Sequence, residues 1–404
     1  MRDHFLPFSP PLIGDEELEE VVHTLRSGWI TTGPKTHRFE ERFASYVGAS
    51  AALAVSSATD AMLIGLAALG VGSGDEVITT TMTFCSTVHV IEHVGATPVL
   101  VDVEPDTLNM DPAAVERAIT PRTRAIMPVH LYGHPCEMGA LLALADEHEL
   151  YVLEDAAHAL PARYRGRIVG TLGDLAAFSF YATKNLTTAE GGMLTGSTER
   201  IDEARVWGLH GMNRDAWKRY SETGSWYYEV VVPGFKTNMT DIQAAIGLHQ
   251  LEKLPGFQKR RRAIVDRYNE AFGGCEALQI PTERPEVESA WHIYALRLNL
   301  DRLTIDRAQF IEQLKARKIG SSVHFIPVHL HPYYRDKYGF QAQDYPIAYC
   351  EYQRLVSLPL NVVMTDRDVE DVIEAVLDIV ERYGRECADP HTRPARLASG
   401  ADRY

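Results

Sequence analysis

The sequence predicts an α/β protein: a large domain built on a mostly parallel sheet covered by helices on both faces, then a smaller α+β C-terminal domain. Three observations point there. Short apolar runs of strand length recur at 51–55, 76–80, 97–102, 125–129 and 151–154, with helical patterns between them. That alternation is how parallel strands buried on both faces read. The turns joining them are short. At 404 residues, the chain also exceeds one ordinary core. We expect a large domain over 13–254, a small domain over 255–388 that includes the N-terminal arm 1–12, and a flexible tail at 389–404.

Taken in order, Pro7, Pro10 and Pro11 make the arm extended. An amphipathic helix starts at Asp15, with Leu18, Val21, Val22 and Leu25 at helical spacing. The loop 28–34 follows, reading Gly-Trp-Ile-Thr-Thr-Gly-Pro, then a helical face of Phe39, Phe43 and Val47. The strand at 51–55 runs through Ser56-Ser57-Ala58-Thr59-Asp60 into a helix over 61–69. A small-residue turn at a helix start leaves free amides aimed outward, so it serves equally as an ordinary cap or an anion site. Further helices are expected to end at Val94 and to span 113–119, 137–149 and 201–207, with a strand at 193–196. Segment 210–228 reads as a polar, aromatic loop. Thr240 is placed to cap a long helix over 241–272 that Pro255 could kink or break. Beyond it we expect strands at 290–299 and 320–325 and helices at 307–317 and 366–383. The run Lys259-Arg260-Arg261-Arg262 reads as a solvated helix face.

Composition excludes several classes. Hydrophobic residues at 45% and charged residues at 24% are those of a soluble globular chain. A net charge of −15 disfavours nucleic-acid or anionic-membrane partners. The five cysteines are scattered without CxxC spacing, which suits reduced thiols in a cytoplasmic protein. No apolar run is long enough to span a bilayer. There is no GxGxxG after the first strand and no Walker lysine. His324, His329 and His331 are interrupted by Pro327 and Pro332 and have no acidic ligand at metal-type spacing, so no metal site is expected.

Chemistry concentrates between residues 152 and 192. An apolar strand ends on Glu154-Asp155 with His158 just beyond, and a second leads through Ser179 to Lys184. Polar groups past the carboxyl ends of buried strands are where α/β proteins place ligands. An amine, a carboxylate, a ring partner and hydroxyl donors are what pyridoxal phosphate needs: Lys184, Asp155, His158 and Ser179 supply them in kind.

This stretch resembles the DegT/DnrJ/EryC1/StrS family of sugar aminotransferases, which have the aspartate aminotransferase fold (fold type I). The resemblance runs from about residue 7 to 383. It implies a pyridoxal phosphate cofactor on Lys184, with Asp155 facing the ring nitrogen. It places Ala58 and Thr59, flanked by Ser57, and Ser179 at the phosphate, and Phe84 against the ring. It implies a homodimer with shared sites, in which segment 234–247 reaches the partner's phosphate through Lys236 or Asn238. Many relatives carry Asn and Arg at those two places, so which side chain makes the contact stays open. Trp29, Thr31, His324 and His329 are implied near the substrate. The implied reaction moves an amino group from glutamate or glutamine to a nucleotide-linked keto-deoxysugar. Segment 233–241 is more similar to relatives that aminate C4; C3 is the alternative. A dehydratase branch would carry histidine in place of Lys184, a desulfurase would need a reactive cysteine on a loop, and a scaffold protein would bind no cofactor.

Overall fold

A computed structural model describes residues 2–213 and 227–385. Most of the aromatic loop at 210–228 and the expected tail at 389–404 lie outside the described residues.

The arm crosses to a distant part of the chain: Leu6 pairs with Ile319 and is buried. Helices α1 (Asp15–Ser27) and α2 (Pro34–Val47) follow. Then come β1 (Ala51–Val55), α3 (Ala58–Ala68), β2 (Glu76–Thr80), α4 (Ser86–His93), β3 (Thr97–Val101), α5 (Pro112–Ala118), β4 (Thr123–Met127), α6 (Met138–Glu147) and β5 (Tyr151–Asp155). A small hairpin, β6 (Arg163–Tyr164) and β7 (Arg167–Ile168), precedes β8 (Leu175–Ser179), β9 (Gly192–Gly196) and α7 (Thr198–Gly208). The sheet order is β1-β9-β8-β5-β4-β2-β3. Strands β3, β2, β4, β5 and β8 run parallel, and β9 is antiparallel to both neighbours. The sheet is mostly parallel, as the alternation predicts.

Both faces are covered, and residue alternation shows how. Ala52, Ala54, Ala176, Phe178 and Met193 pack with Phe39 and Phe43 of α2. Their neighbours Leu53, Val55, Leu175, Ala177 and Leu194 pack with Ile64 and Leu66 of α3 and Ile201 of α7. Each buried Leu or Phe contributes about 2–3 kcal/mol. Helix α3 begins earlier than its apolar face suggests, at Ala58, because the Ser57 hydroxyl accepts from Asp60 N–H at 3.1 Å and caps it.

Helix α8 (Asp241–Phe272) belongs to two cores. Ala244, Leu248 and Leu254 join the sheet core, whereas Ile264, Val265, Tyr268 and Phe272 join a second one. Pro255 does not end it. The second core surrounds an antiparallel sheet of β10 (Leu278–Gln279), β12 (Tyr294–Leu298) and β13 (Leu355–Leu358); β11 (Val287–Glu288) pairs with β6 instead. Helices α9 (Arg307–Ala316), α10 (Pro332–Tyr338), α11 (Pro346–Arg354) and α12 (Asp366–Tyr383) complete the described chain.

Two expectations are corrected. Segment 320–325 is not a strand: only Ser322 bridges to Ser357, after which the chain turns toward a cleft. Arg261 is not solvated. It is buried and donates to the carbonyls of Trp291, His292 and Leu360 at 3.2, 3.4 and 2.9 Å, so it ties two loops together. The apolar stripe of α1 does not face the core: Leu18, Val22 and Leu25 are exposed while Glu17 and Thr24 are buried. Glu17 is drawn inward by Gln250 and Lys253 of α8.

Candidate active site

The carboxyl ends of β5 and β8, the start of α3 and the segment 324–325 enclose a cleft of about 460 Å³. Ser57, Ala58, Thr59, Phe84, Asp155, His158, Ser179, Lys184 and His324 all line it. Residues far apart in sequence meet there because parallel strands point their ends the same way.

Asp155, the last residue of β5, is buried. One carboxylate oxygen accepts from Thr87 Oγ1 at 2.8 Å, the other from Ala157 N–H at 3.1 Å. Thr83 shares a hydrogen bond with Thr87 at 2.8 Å, extending the support. Burial raises the Asp155 pKa; the Thr87 bond, the Ala157 N–H and Lys184 oppose it. Glu154 points to the other face. It accepts from Leu172 and Gly173 N–H and meets His130 Nε2 at 3.0 Å, so its place is structural. Lys184 is half-buried on the loop after β8. Burial lowers its ammonium pKa to about 8, with Asp155 opposing the shift. Such an amine is available unprotonated near neutrality.

The α3 start is open toward the cleft. Ser57 takes up Asp60 N–H through its hydroxyl and Ala61 N–H through its carbonyl. The amides of Ala58 and Thr59 keep no partner among the described residues and carry the positive end of the helix dipole. Gly192 lets β9 seat against this turn: a Cβ there would lie 2.4 Å from the Ser57 carbonyl carbon.

Aromatic groups form the walls. Phe84 is 57% exposed, so it is not core filling. Its ring lies 5.9 Å from Phe325, which stacks on His158 at 5.7 Å. His158 Nδ1 accepts from Tyr132 N–H at 3.3 Å. His324 bonds Ser357 Oγ at 2.9 Å and stacks on Phe8 of the arm at 5.4 Å. Burial, then the charge of Lys184, lowers its pKa to about 4.

Other candidates lie elsewhere. Trp29, Thr31, Lys236 and Asn238 line a second cavity with Thr32 and Arg205, not the cleft. Lys236 Nζ donates to Asn238 Oδ1, and Asn238 Nδ2 to Thr32 Oγ1. The loop 28–34 is clamped by buried Asp241, which accepts from the N–H groups of Gly33, Lys35 and Thr36 and from Thr36 Oγ1. His329 does not line the cleft: it is buried, 2.7 Å from Thr81 Oγ1 and 3.3 Å from Ala342 O. Sequence reasoning missed Tyr181, His292 and Phe325 in the cleft. His292 sits in a segment read as continuous strand; a histidine within that apolar run was the only signal.

A lysine of lowered basicity beside a strand-end carboxylate, on a mostly parallel sheet with both faces covered, places the chain among pyridoxal-phosphate aminotransferases of fold type I. Residues 11–377 match the DegT/DnrJ/EryC1/StrS aminotransferase family, and the chain belongs to it. It is 53% identical over 382 residues to the spore coat polysaccharide biosynthesis protein SpsC of Bacillus subtilis, covering 94% of this chain and 98% of that one. Spr1654 of Streptococcus pneumoniae in its PLP form superposes with a TM-score of 0.88 at 38% identity, covering 94% and 99%. DesV of S. venezuelae, solved with a ketimine intermediate, gives 0.84 at 34%, covering 93% and 100%. Among the described residues no helix is long and apolar enough to cross a membrane, and no cluster suits a metal ion.

Proposed function

We propose that the chain transfers an amino group from glutamate, or glutamine, to C4 of a nucleotide-linked keto-deoxysugar, in the cytoplasm. The observation that carries the reading is Lys184: a half-buried amine with a pKa of about 8 in the same cleft as Asp155 and the open α3 start. The likeness to a polysaccharide biosynthesis protein supports a sugar acceptor. The similarity of segment 233–241 to relatives that aminate C4 supports the position.

The cleft fits pyridoxal phosphate. The Ala58 and Thr59 amides, with the Ser179 hydroxyl, suit the phosphate; Phe84 and His158 suit the ring; Asp155 suits the ring nitrogen. When bound, the cofactor supplies an aldehyde that takes up an amine and a ring that accepts electron density. Lys184 Nζ would hold the cofactor through that aldehyde, and the same amine is the base in the cleft that would move a proton at the substrate carbon. Asp155 would keep a proton on the ring nitrogen of the bound cofactor. Phe84 and Phe325 keep water from the reacting atoms.

Two features support a second copy of the chain completing each site. Lys236 and Asn238 stand in a different cavity from Lys184, as groups serving a partner's phosphate would. The exposed α1 stripe of Leu18, Val22 and Leu25 lies on the element leading into loop 28–34. The test is a set of keto-sugar nucleotides incubated with glutamate, scored by aminated product and its position. Product at C4, abolished by Lys184→Ala, is expected. Product at C3 alone overturns the position, and turnover by Lys184→Ala overturns the role of the lysine.

A further inference from the structure

Two residues without a role in this scheme, buried Asn185 and the cleft residue His292, hold the lysine loop and the imidazole wall in one arrangement. Asn185 follows Lys184 and is buried. Its amide nitrogen donates to Leu160 O at 3.0 Å and Ala290 O at 2.8 Å. Both hydrogens are therefore committed, and the reverse amide orientation would set Oδ1 against two carbonyl oxygens. Asn185 Oδ1 can only accept, and the atom it meets is His292 Nδ1 at 3.2 Å. His292 must then carry its proton on Nδ1 and leave Nε2 bare.

His292 is held from other directions too. Its N–H donates to Tyr132 O at 2.9 Å, and its carbonyl accepts from buried Arg261. Its ring lies 4.5 Å from that of His158. The Tyr132 N–H already occupies His158 Nδ1, so His158 carries its proton on Nε2. One residue, Tyr132, thus holds the His158 ring through its N–H and the His292 backbone through its carbonyl, and the Asn185 side-chain amide ties the His292 imidazole to the lysine loop. Burial and the charge of Lys184 keep both rings neutral.

We propose that Asn185 and His292 are a positioning pair: Asn185 fixes the His292 tautomer, and His292 in turn packs His158 against Phe325 and anchors the loop that presents Lys184. The proposal rests on the cofactor reading of the cleft for its consequence, but the tautomers stand on geometry alone.

The test has two arms. In cofactor-free protein, nitrogen-15 imidazole spectra at pH 7.5, assigned through His292→Phe, are expected to show His292 protonated on Nδ1 and His158 on Nε2. Asn185→Leu is expected to release His292 into a mixture of tautomers. In the second arm, uptake of pyridoxal phosphate is followed by its visible absorbance. Asn185→Leu and His292→Phe are expected to slow uptake at least tenfold. His292→Asn, which keeps a donor toward Asn185 Oδ1, is expected to stay within threefold of the unaltered chain. A wild-type His292 protonated on Nε2 overturns the proposal, as does wild-type uptake by both Asn185→Leu and His292→Phe. So does equal slowing by His292→Asn and His292→Phe, which would mean that only bulk matters. If a variant does not fold, the wild-type tautomers decide. If the unaltered chain takes up no cofactor, the cofactor reading fails while the tautomer arm still reports on the pair.

Discussion

Replacing Asp155 by asparagine tests the electrostatics of the lysine. Burial brings the Lys184 pKa from 10.5 to about 8 while the Asp155 charge holds it up. A fall of about 2.5 pKa units makes the unprotonated fraction near neutrality about 300-fold larger than for a solvated lysine. Uptake of pyridoxal phosphate by cofactor-free protein requires the free amine. Its rate should therefore rise tenfold per pH unit below pH 8 and level off above it. Asp155→Asn keeps an oxygen for Thr87 or Ala157 but removes the charge, so the inflection should move below pH 8. Uptake at pH 7 becomes several-fold faster, even though the bound cofactor is released more readily. The assay is stopped-flow absorbance from pH 6 to 10. A rate that climbs unbroken to pH 10 in the unaltered chain would refute the buried amine. An inflection that stays put or rises in Asp155→Asn would refute the coupling.

Further outcomes follow from the same geometry. Lys184→Met should stabilise the cofactor-free chain, by about 3 kcal/mol at most. The sign is set by a folded pKa below the unfolded one: the cost of burying an ammonium is full below pH 8 and fades by pH 10.5, so urea melts at pH 7 and pH 10.5 should show the gain shrinking. Phe84→Ala, at an exposed ring, should cost under about 1 kcal/mol of stability but weaken cofactor affinity roughly five- to tenfold, read by equilibrium dialysis. Asp241→Ala strands buried donors at the end of loop 28–34 and in the first turn of α2 and should cost about 3 kcal/mol in denaturant melts. His329→Ala should lower stability by about 2 kcal/mol while kcat/KM for the amino acceptor stays within twofold.

How far the sequence carries is clearest from particular residues. The strands β1, β2 and β5 were legible because burial on both faces makes them short continuous apolar runs between turns. Lys184, Asp155, His158 and Ser179 were legible because strand ends are where an α/β sheet exposes chemistry. His292 and Phe325 were not. They reach the cleft from loops beside β12 and β13, and nothing local encodes that long-range return. Arg261 misled because a basic run on a helix is usually solvated, and only the carbonyls of two distant loops explain its burial. Helix α1 was legible as an amphipathic helix, but spacing reveals an apolar face and not what lies against it. Only the family resemblance puts His329 near the substrate; its ring lies 2.7 Å from Thr81 Oγ1.

The central claim is that Lys184 carries the cofactor in this cleft. Borohydride reduction of the pyridoxal-phosphate-saturated chain, followed by peptide mass spectrometry, tests it most directly. The account predicts the phosphopyridoxyl mass on the peptide containing Lys184, and none in Lys184→Ala. The mass on another lysine, such as Lys236 or Lys35, with Lys184 unmodified, would contradict it.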